Sequence, residues 1–180
     1  MESHAVCEDE GRSDEPIEIV PHDPEWLTMF EKEKTAIQLT LGDIAIEVHH
    51  IGSTSVSGLA AKPIIDILVA VESLDDRPVF ERGLSVLGYV NTPHDDDANR
   101  LCYGRGVPSA YHVHVVKRDS WTCSRHLIFR DALRASPETR KEYERLKLDL
   151  ALRFRDDREA YTDAKSEFIE RTVAQRVRGK

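Results

Sequence analysis

The sequence predicts an α/β (α+β) domain: a mixed β-sheet with flanking helices, followed by a part that is helical throughout. Three observations predict it. Ile64 to Val71 (IIDILVAV) is apolar almost without a break, as in a strand buried on both faces at the centre of a sheet. Ile44, Ile46 and Val48 alternate with Ala45, Glu47 and His49, the period of a half-buried strand. From Ser124 onward the apolar residues recur at helical spacing, with caps and prolines marking the breaks.

The elements follow in order. Residues 1–15 are acidic and polar and read as a disordered tail; residues 16–180 read as one domain. Ile17, Ile19 and Val20 open the fold. Asp23-Pro24 supplies an N-cap and a first-turn proline for a helix carrying Trp26, Leu27, Phe30, Ile37 and Leu41, and Gly42 stops it. After the strand through Val48, Gly52 to Lys62 is a loop of small residues with a short helical turn. Beyond the Ile64–Val71 strand, Asp75 is placed to cap a helix with Phe80, Leu84 and Leu87, ended by Gly88. Strands are expected at Tyr89–Thr92, Arg100–Arg105 and Tyr111–Lys117, with an acidic loop from His94 to Asn99. Ser124 to Ala135 reads as a helix, Ser136-Pro137 starts a second with the stripe Tyr143, Leu146, Leu150 and Phe154, and Tyr161, Ala164, Phe168 and Thr172 mark a third.

Composition narrows the functions. A chain of 180 residues is one domain, large enough to be stable without disulfides or a structural metal. Its net charge of −8 argues against general affinity for nucleic acid or anionic membrane. No apolar stretch reaches bilayer length, and the N-terminus MESHAVCEDEGRSDEP lacks the apolar core of a signal peptide, so a cytoplasmic location is expected. Cys7, Cys102 and Cys123 show no C-x-x-C spacing and read as free thiols.

Four features carry chemistry. The turn Gly52-Ser53-Thr54-Ser55 follows a strand. Glycine permits close approach of the backbone to a ligand, and exposed N–H and hydroxyl groups cradle phosphate; a tight strand exit has the same composition. Asp66 is a lone acid in an apolar strand, so it is paired, protonated or metal-bound; a salt bridge to Lys62 or an arginine would also satisfy it. His112 and His114 lie two apart on a strand and share a face, as metal ligands, as phosphate donors or as two hydrogen-bonded histidines. Trp121, Arg125, His126 and Arg130 enter a helix where arginines could grip a polyphosphate or form a solvated face. Asp95-Asp96-Asp97 reads as a solvated turn first and as a second metal site otherwise.

Several segments resemble one family. His50 to Ile67 resembles the GrpB signature GST-x-V-P-G-L-x-x-K-P-I-I-D-I, with Ser57 in place of its proline. Tyr111 to Val116 resembles the family's Y-H-x-H-V segment. His126-Leu127-x-Phe129-Arg130-Asp131-x-Leu133-Arg134 resembles its H-L-x-F-R-D-x-L-R, and Tyr143-Glu144-x-Leu146-Lys147 its Y-x-x-L-K. The pieces keep their order from Ile17 onward.

That family is similar to the nucleotidyltransferase superfamily, which implies a nucleotidyltransferase-like sheet and a division of labour within it. The resemblance implies that Gly52 and Ser53, with Thr54 and Ser55, hold the phosphates of a nucleoside triphosphate, and that Asp66 is the first metal-binding carboxylate. Position 68, where a second carboxylate is expected, is Leu68, and the later strand offers His112 and His114 in place of a third. The ion implied is divalent, Mg²⁺, Mn²⁺ or Zn²⁺, with the His-containing set leaning to the softer two. Asp66, His112 and His114 are thus the expected catalytic and metal residues, with Lys62 and Arg130 neutralising phosphate. The expected activity is metal-dependent nucleotidyl transfer from a small-molecule nucleotide to an acceptor that the sequence does not name. The alternative is a non-catalytic nucleotide- or phosphate-binding module, a role suggested by GrpB-like domains fused to dephospho-coenzyme A kinase.

Overall fold

The computed structural model describes residues 16–92 and 99–179. The expected tail at 1–15 and the triad Asp95-Asp96-Asp97 lie outside the described residues. Five strands form one mixed sheet in the order β1-β2-β5-β4-β3. They are β1 (Glu47–Ile51), β2 (Ile65–Val71), β3 (Val90–Asn91), β4 (Arg100–Arg105) and β5 (Tyr111–Lys117). Only the β2–β5 pairing is parallel; the other three are antiparallel. The helices are α1 (Glu25–Leu41), α2 (Arg77–Val86), α3 (Trp121–Ala135), α4 (Pro137–Arg153), α5 (Arg158–Asp163) and α6 (Ser166–Arg178).

The central strand explains the layers. Successive β2 residues point to opposite faces. Ile65, Ile67, Val69 and Val71 pack with Trp26, Phe30, Ile37 and Leu41 of α1 and with Phe80 and Leu84 of α2. Leu68 and Ala70 pack on the other face with Ile51, Val116 and Cys123, the last from α3. Burial on both faces accounts for the uninterrupted apolar run. At ~25 cal/mol per Å² of apolar surface, these two layers are the main stabilising term.

Local signals place the helix ends. Asp23 Oδ1 accepts from the Glu25 N–H at 2.9 Å, so the acid before Pro24 satisfies one free donor of α1. Ser120 caps α3 through the Cys123 N–H, and Ser136 caps α4 through the Thr139 N–H. Four expectations change. Leu27 is exposed and lies off the buried stripe of α1. The alternating strand begins at Glu47, because Gly42–Ile44 forms a short 3-10 turn. Asp75 does not cap α2: its own N–H and carboxylate are both engaged by the Ser73 hydroxyl. The third C-terminal helix is two: α5, capped by Asp157 through the Ala160 N–H, ends at Asp163, and α6 begins at Ser166. Cys123 is a free, buried thiol as expected, whereas Cys102 is disulfide-bonded. Among the described residues no helix is long and apolar enough to cross a membrane.

Candidate functional site

Three chain segments meet around Asp66. The register aligns Asp66 with Ile51 on the antiparallel side and with His112 on the parallel side. Gly52, one residue beyond Ile51, therefore crosses directly over the Asp66 carboxylate. Its backbone (φ 68°, ψ −176°) lies in a region that only glycine enters readily, and a Cβ there would collide with Asp66 Oδ2. Ser53–Ser55 then turns as a single 3-10 turn. It is held by the Ser55 hydroxyl donating to Gly52 O (2.6 Å) and the Thr54 hydroxyl donating to Ile64 O (3.0 Å).

The two expected histidines face the same acid. His112 Nδ1 lies 3.4 Å and His114 Nε2 3.8 Å from Asp66 Oδ1. Burial alone would raise the Asp66 pKa, but the nearby imidazoles of His112 and then His114 outweigh it and hold the carboxyl well below the usual range. His114 is fully buried and its pKa is lowered by that burial. The partner of Asp66 is thus the histidine pair rather than a lysine or arginine. His126, from α3, sits against His114 with ring centroids 5.6 Å apart. Its pKa is pushed well below the ordinary value by burial and by the neighbouring His114.

Two adjoining cavities, of about 90 and 120 Å³, share Ser53, Asp66, Tyr143 and Lys165. Lys62, Lys147 and Thr162 also line the first. Ile51, His114, Arg125 and Phe129 also line the second, more apolar one. Lys62 lies over the Tyr161 ring at 5.6 Å and Lys165 at 4.0 Å. Lys147 donates to Ala60 O and lies 5.1 Å from the Tyr143 ring centre. Burial pushes its pKa down to about 7. Burial raises the Tyr143 pKa, opposed by its hydrogen bond with the Ser53 hydroxyl.

Of the expected residues, the fold brings together Gly52, Ser53, Thr54, Lys62, Asp66, His112 and His114. Ser55 is turned away: its carbonyl receives Arg134 and its side chain lines a different cavity. Arg130 is also elsewhere: its Nε donates to Asp131 Oδ1 (2.7 Å) and its Nη1 to His50 O (3.3 Å). Arg125 does reach the second cavity, paired with Glu170 of α6 at 2.7 Å. Trp121 is exposed at the start of α3. Sequence reasoning gave no role to Tyr143, Lys147, Tyr161 and Lys165. Tyr143 and Tyr161 were placed on apolar helix stripes and Lys147 in the Tyr143-to-Lys147 motif, signals that mark burial but not which ligand cavity a residue borders.

The donor set does not suit a clamp of two hard cations. Such a clamp needs several carboxylates. The one available, Asp66, faces both histidines through Oδ1. Position 68 is a leucine with no exposed surface, packed beneath α3. Among the described residues no group of three or more His, Cys, Asp and Glu side chains is arranged to hold a metal ion. His112 Nε2, however, is buried with no hydrogen-bond partner.

Comparison with known proteins agrees with this architecture. YqkA of Bacillus subtilis is 37% identical over 154 residues, 85% of this chain, which spans 45% of that protein. The glutamate-rich protein GrpB of Alkalihalophilus pseudofirmus is 34% identical over 84% of this chain and 91% of its own length. A dephospho-CoA kinase of Mycolicibacterium paratuberculosis is 29% identical over 83% of this chain and 43% of its own length. The crystal structure of GrpB from Enterococcus faecalis superposes with a TM-score of 0.83 at 32% identity, covering 90% of this chain and 98% of that one. The Cid1 poly(U) polymerase shares the fold alone, with a TM-score of 0.53 at 16% identity over 75% of this chain and 44% of its own. The sheet is therefore a nucleotidyltransferase-like one. With residues 16–175 also matching the family described as GrpB protein, the chain belongs to the GrpB family.

Proposed function

We propose that this chain is a nucleotide-binding domain that holds the phosphates of a nucleoside triphosphate without a two-metal clamp. The observation that carries this reading is the cavity beside Asp66, where Lys62, Lys147 and Lys165 accompany one carboxylate and the Ser53 turn. Three ammonium groups and several hydroxyls offset phosphate charge in a partly dry site. Asp66, kept ionised, orients His112 and His114 and repels any anion that sits too deep. Cid1 has been crystallised with MgGTP and with Mg 3'-dATP bound, which supports testing nucleotides here.

A second reading has a specific observation behind it. His112 Nδ1 and His114 Nε2 both face Asp66 Oδ1, and a single softer ion seated among these three atoms would take up all of them. In that case the domain would transfer a nucleotidyl group to an acceptor, with Asp66, His112 and His114 as the metal and acid–base residues and the ion neutralising phosphate charge.

Thermal unfolding with ATP, GTP, CTP and UTP separates the two. Each is tested with and without Mg²⁺, Mn²⁺ or Zn²⁺, on wild type, Asp66→Ala and Lys147→Met. A ligand at ~100 times its Kd stabilises by about 2.7 kcal/mol, a rise of roughly 5–10 °C for a domain of this size. A metal-independent shift that Lys147→Met reduces supports binding without the clamp. A shift that needs metal and vanishes in Asp66→Ala supports the single-ion site, and pyrophosphate release would then mark transfer. No shift with any nucleotide, in a folded protein, overturns both.

A further inference from the structure

We propose that the cavity at the β1 edge of the sheet is a second ligand site, which takes a small molecule through a carboxylate or phosphate group. The cavity has a volume of about 500 Å³, and among the described residues no acidic side chain lines it. It is separate from the Asp66 site. The His50 ring at its floor stacks on Phe30 of α1, with centroids 4.6 Å apart, whereas Asp66 shares its face of β2 with Leu68, packed against α3. The walls come from three places: His22 and Leu27 at the entry to α1, His50 and Ser57 around the turn after β1, and Arg134 and Arg140 at the corner between α3 and α4.

The two arginines carry the argument. The chain has a net charge of −8, yet neither guanidinium has an acidic partner within ion-pair distance among the described residues. Arg134 donates Nε and Nη2 to Ser55 O, at 3.1 and 2.8 Å. The acid that acts on it, Asp131, is already bonded to Arg130 at 2.7 Å. Arg134 is exposed, and the neighbouring Arg130 adds positive charge at this corner. Guanidinium forks match the planar oxygens of carboxylate or phosphate. Ser57 adds a hydroxyl, and the exposed Leu27 side chain offers an apolar wall for the rest of the ligand. His50 contributes a neutral ring: burial pushes its pKa down to about 4, and its Nε2 meets Thr54 Oγ1 at 3.1 Å. Thr54 lines this cavity and the phosphate cavity alike, so the two ligands would lie on either side of one residue.

The test uses inorganic phosphate and succinate as probes, titrated separately into the full chain at constant ionic strength. NMR signals of the His22 ring and the Arg134 Nε–H report occupancy. The expected result is a saturable shift of both with at least one probe. Arg140→Gln weakens it about 10-fold, the usual worth of one charge-assisted hydrogen bond. Arg140→Lys keeps part of it, and Lys147→Met, in the other cavity, leaves it unchanged. A response to phosphate alone assigns a phosphate ester, and to succinate alone a carboxylate. No saturable shift with either probe overturns the proposal. So does a shift that survives Arg140→Gln and disappears in Lys147→Met, because the anion would then occupy the Asp66 site.

Discussion

Asp66 keeps its position because residue 52 has no side chain. Gly52 crosses over the carboxylate so closely that a Cβ would strike Oδ2, and its ψ of −176° at φ 68° suits glycine alone. The phosphate turn and the central acid are therefore one unit of backbone and side chain.

Gly52→Ala should cost more than the strain of its backbone. That strain is ~1–3 kcal/mol, and displacing a paired, partly buried carboxylate adds to it. Gly58→Ala is the control, since Gly58 has a positive φ of 76° with open space where the Cβ would go. Urea unfolding should show the Gly52 variant losing clearly more stability than the Gly58 variant. Equal losses would mean that Asp66 moves aside freely.

Acidification should weaken the fold through buried histidines. His50 is depressed to about 4, and His114 and His126 are lowered too, each chiefly by burial. Between the folded and unfolded pKa values the unfolded chain binds more protons, so stability falls as pH drops below about 6.5. Asp66 adds nothing in this window: its folded pKa is depressed, and its contribution is lost only at far lower pH. His50 accounts for roughly 3 kcal/mol at most by pH 4. Melting curves at pH 7.5, 5.5 and 4.5 should show a smaller decline for His50→Gln than for wild type, and parallel declines would remove His50 from the account.

Lys147 should couple the phosphate site to pH near neutrality. Its pKa is pushed down to about 7 by burial, so it is largely charged at pH 6 and largely neutral at pH 8.5. The unfolded chain holds this proton up to about pH 10.4, so wild-type stability rises between about 7 and that value. Lys147→Met should flatten this rise. Triphosphate affinity should fall between pH 6 and 8.5 in wild type and stay level in the variant; calorimetric titration at the two pH values checks both statements.

Glu170→Ala should leave Arg125 buried without its counter-ion. The pair joins α3 to α6 at 2.7 Å, with Arg125 buried and Glu170 half-exposed. Removing one partner of a fully buried pair costs about 3–5 kcal/mol, and the exposure of Glu170 reduces that to roughly 1–2 kcal/mol. Replacing both residues with Met and Ala should restore part of the loss. Chemical denaturation of the two variants tests whether the cost comes from the stranded charge.

Much of this was legible in the chain itself. β4 and β5 run between the expected residues, and Ser136 caps α4 as its Ser-Pro step suggests. Asp66 and the histidine pair could be brought together from strand period and a parallel register. The lysines could not. Lys147 lies 81 positions beyond Asp66, on a helix whose docking depends on packing of Tyr143 with Phe129 and Phe168. Periodicity says which face of α4 is buried and nothing about which cavity it borders. Arg130 failed for a related reason: a helix position fixes the direction in which a side chain leaves but not the partner it finds, and Asp131 and His50 O lie nearer than the cavity.

Leu68 shares its face of β2 with Asp66, yet lies under Ile51, Val116 and Cys123 with no route to water. An acid introduced there alone would be buried among apolar neighbours and strongly disfavoured. A second carboxylate on this strand would therefore need coupled changes, in the strand and in the helix that covers it.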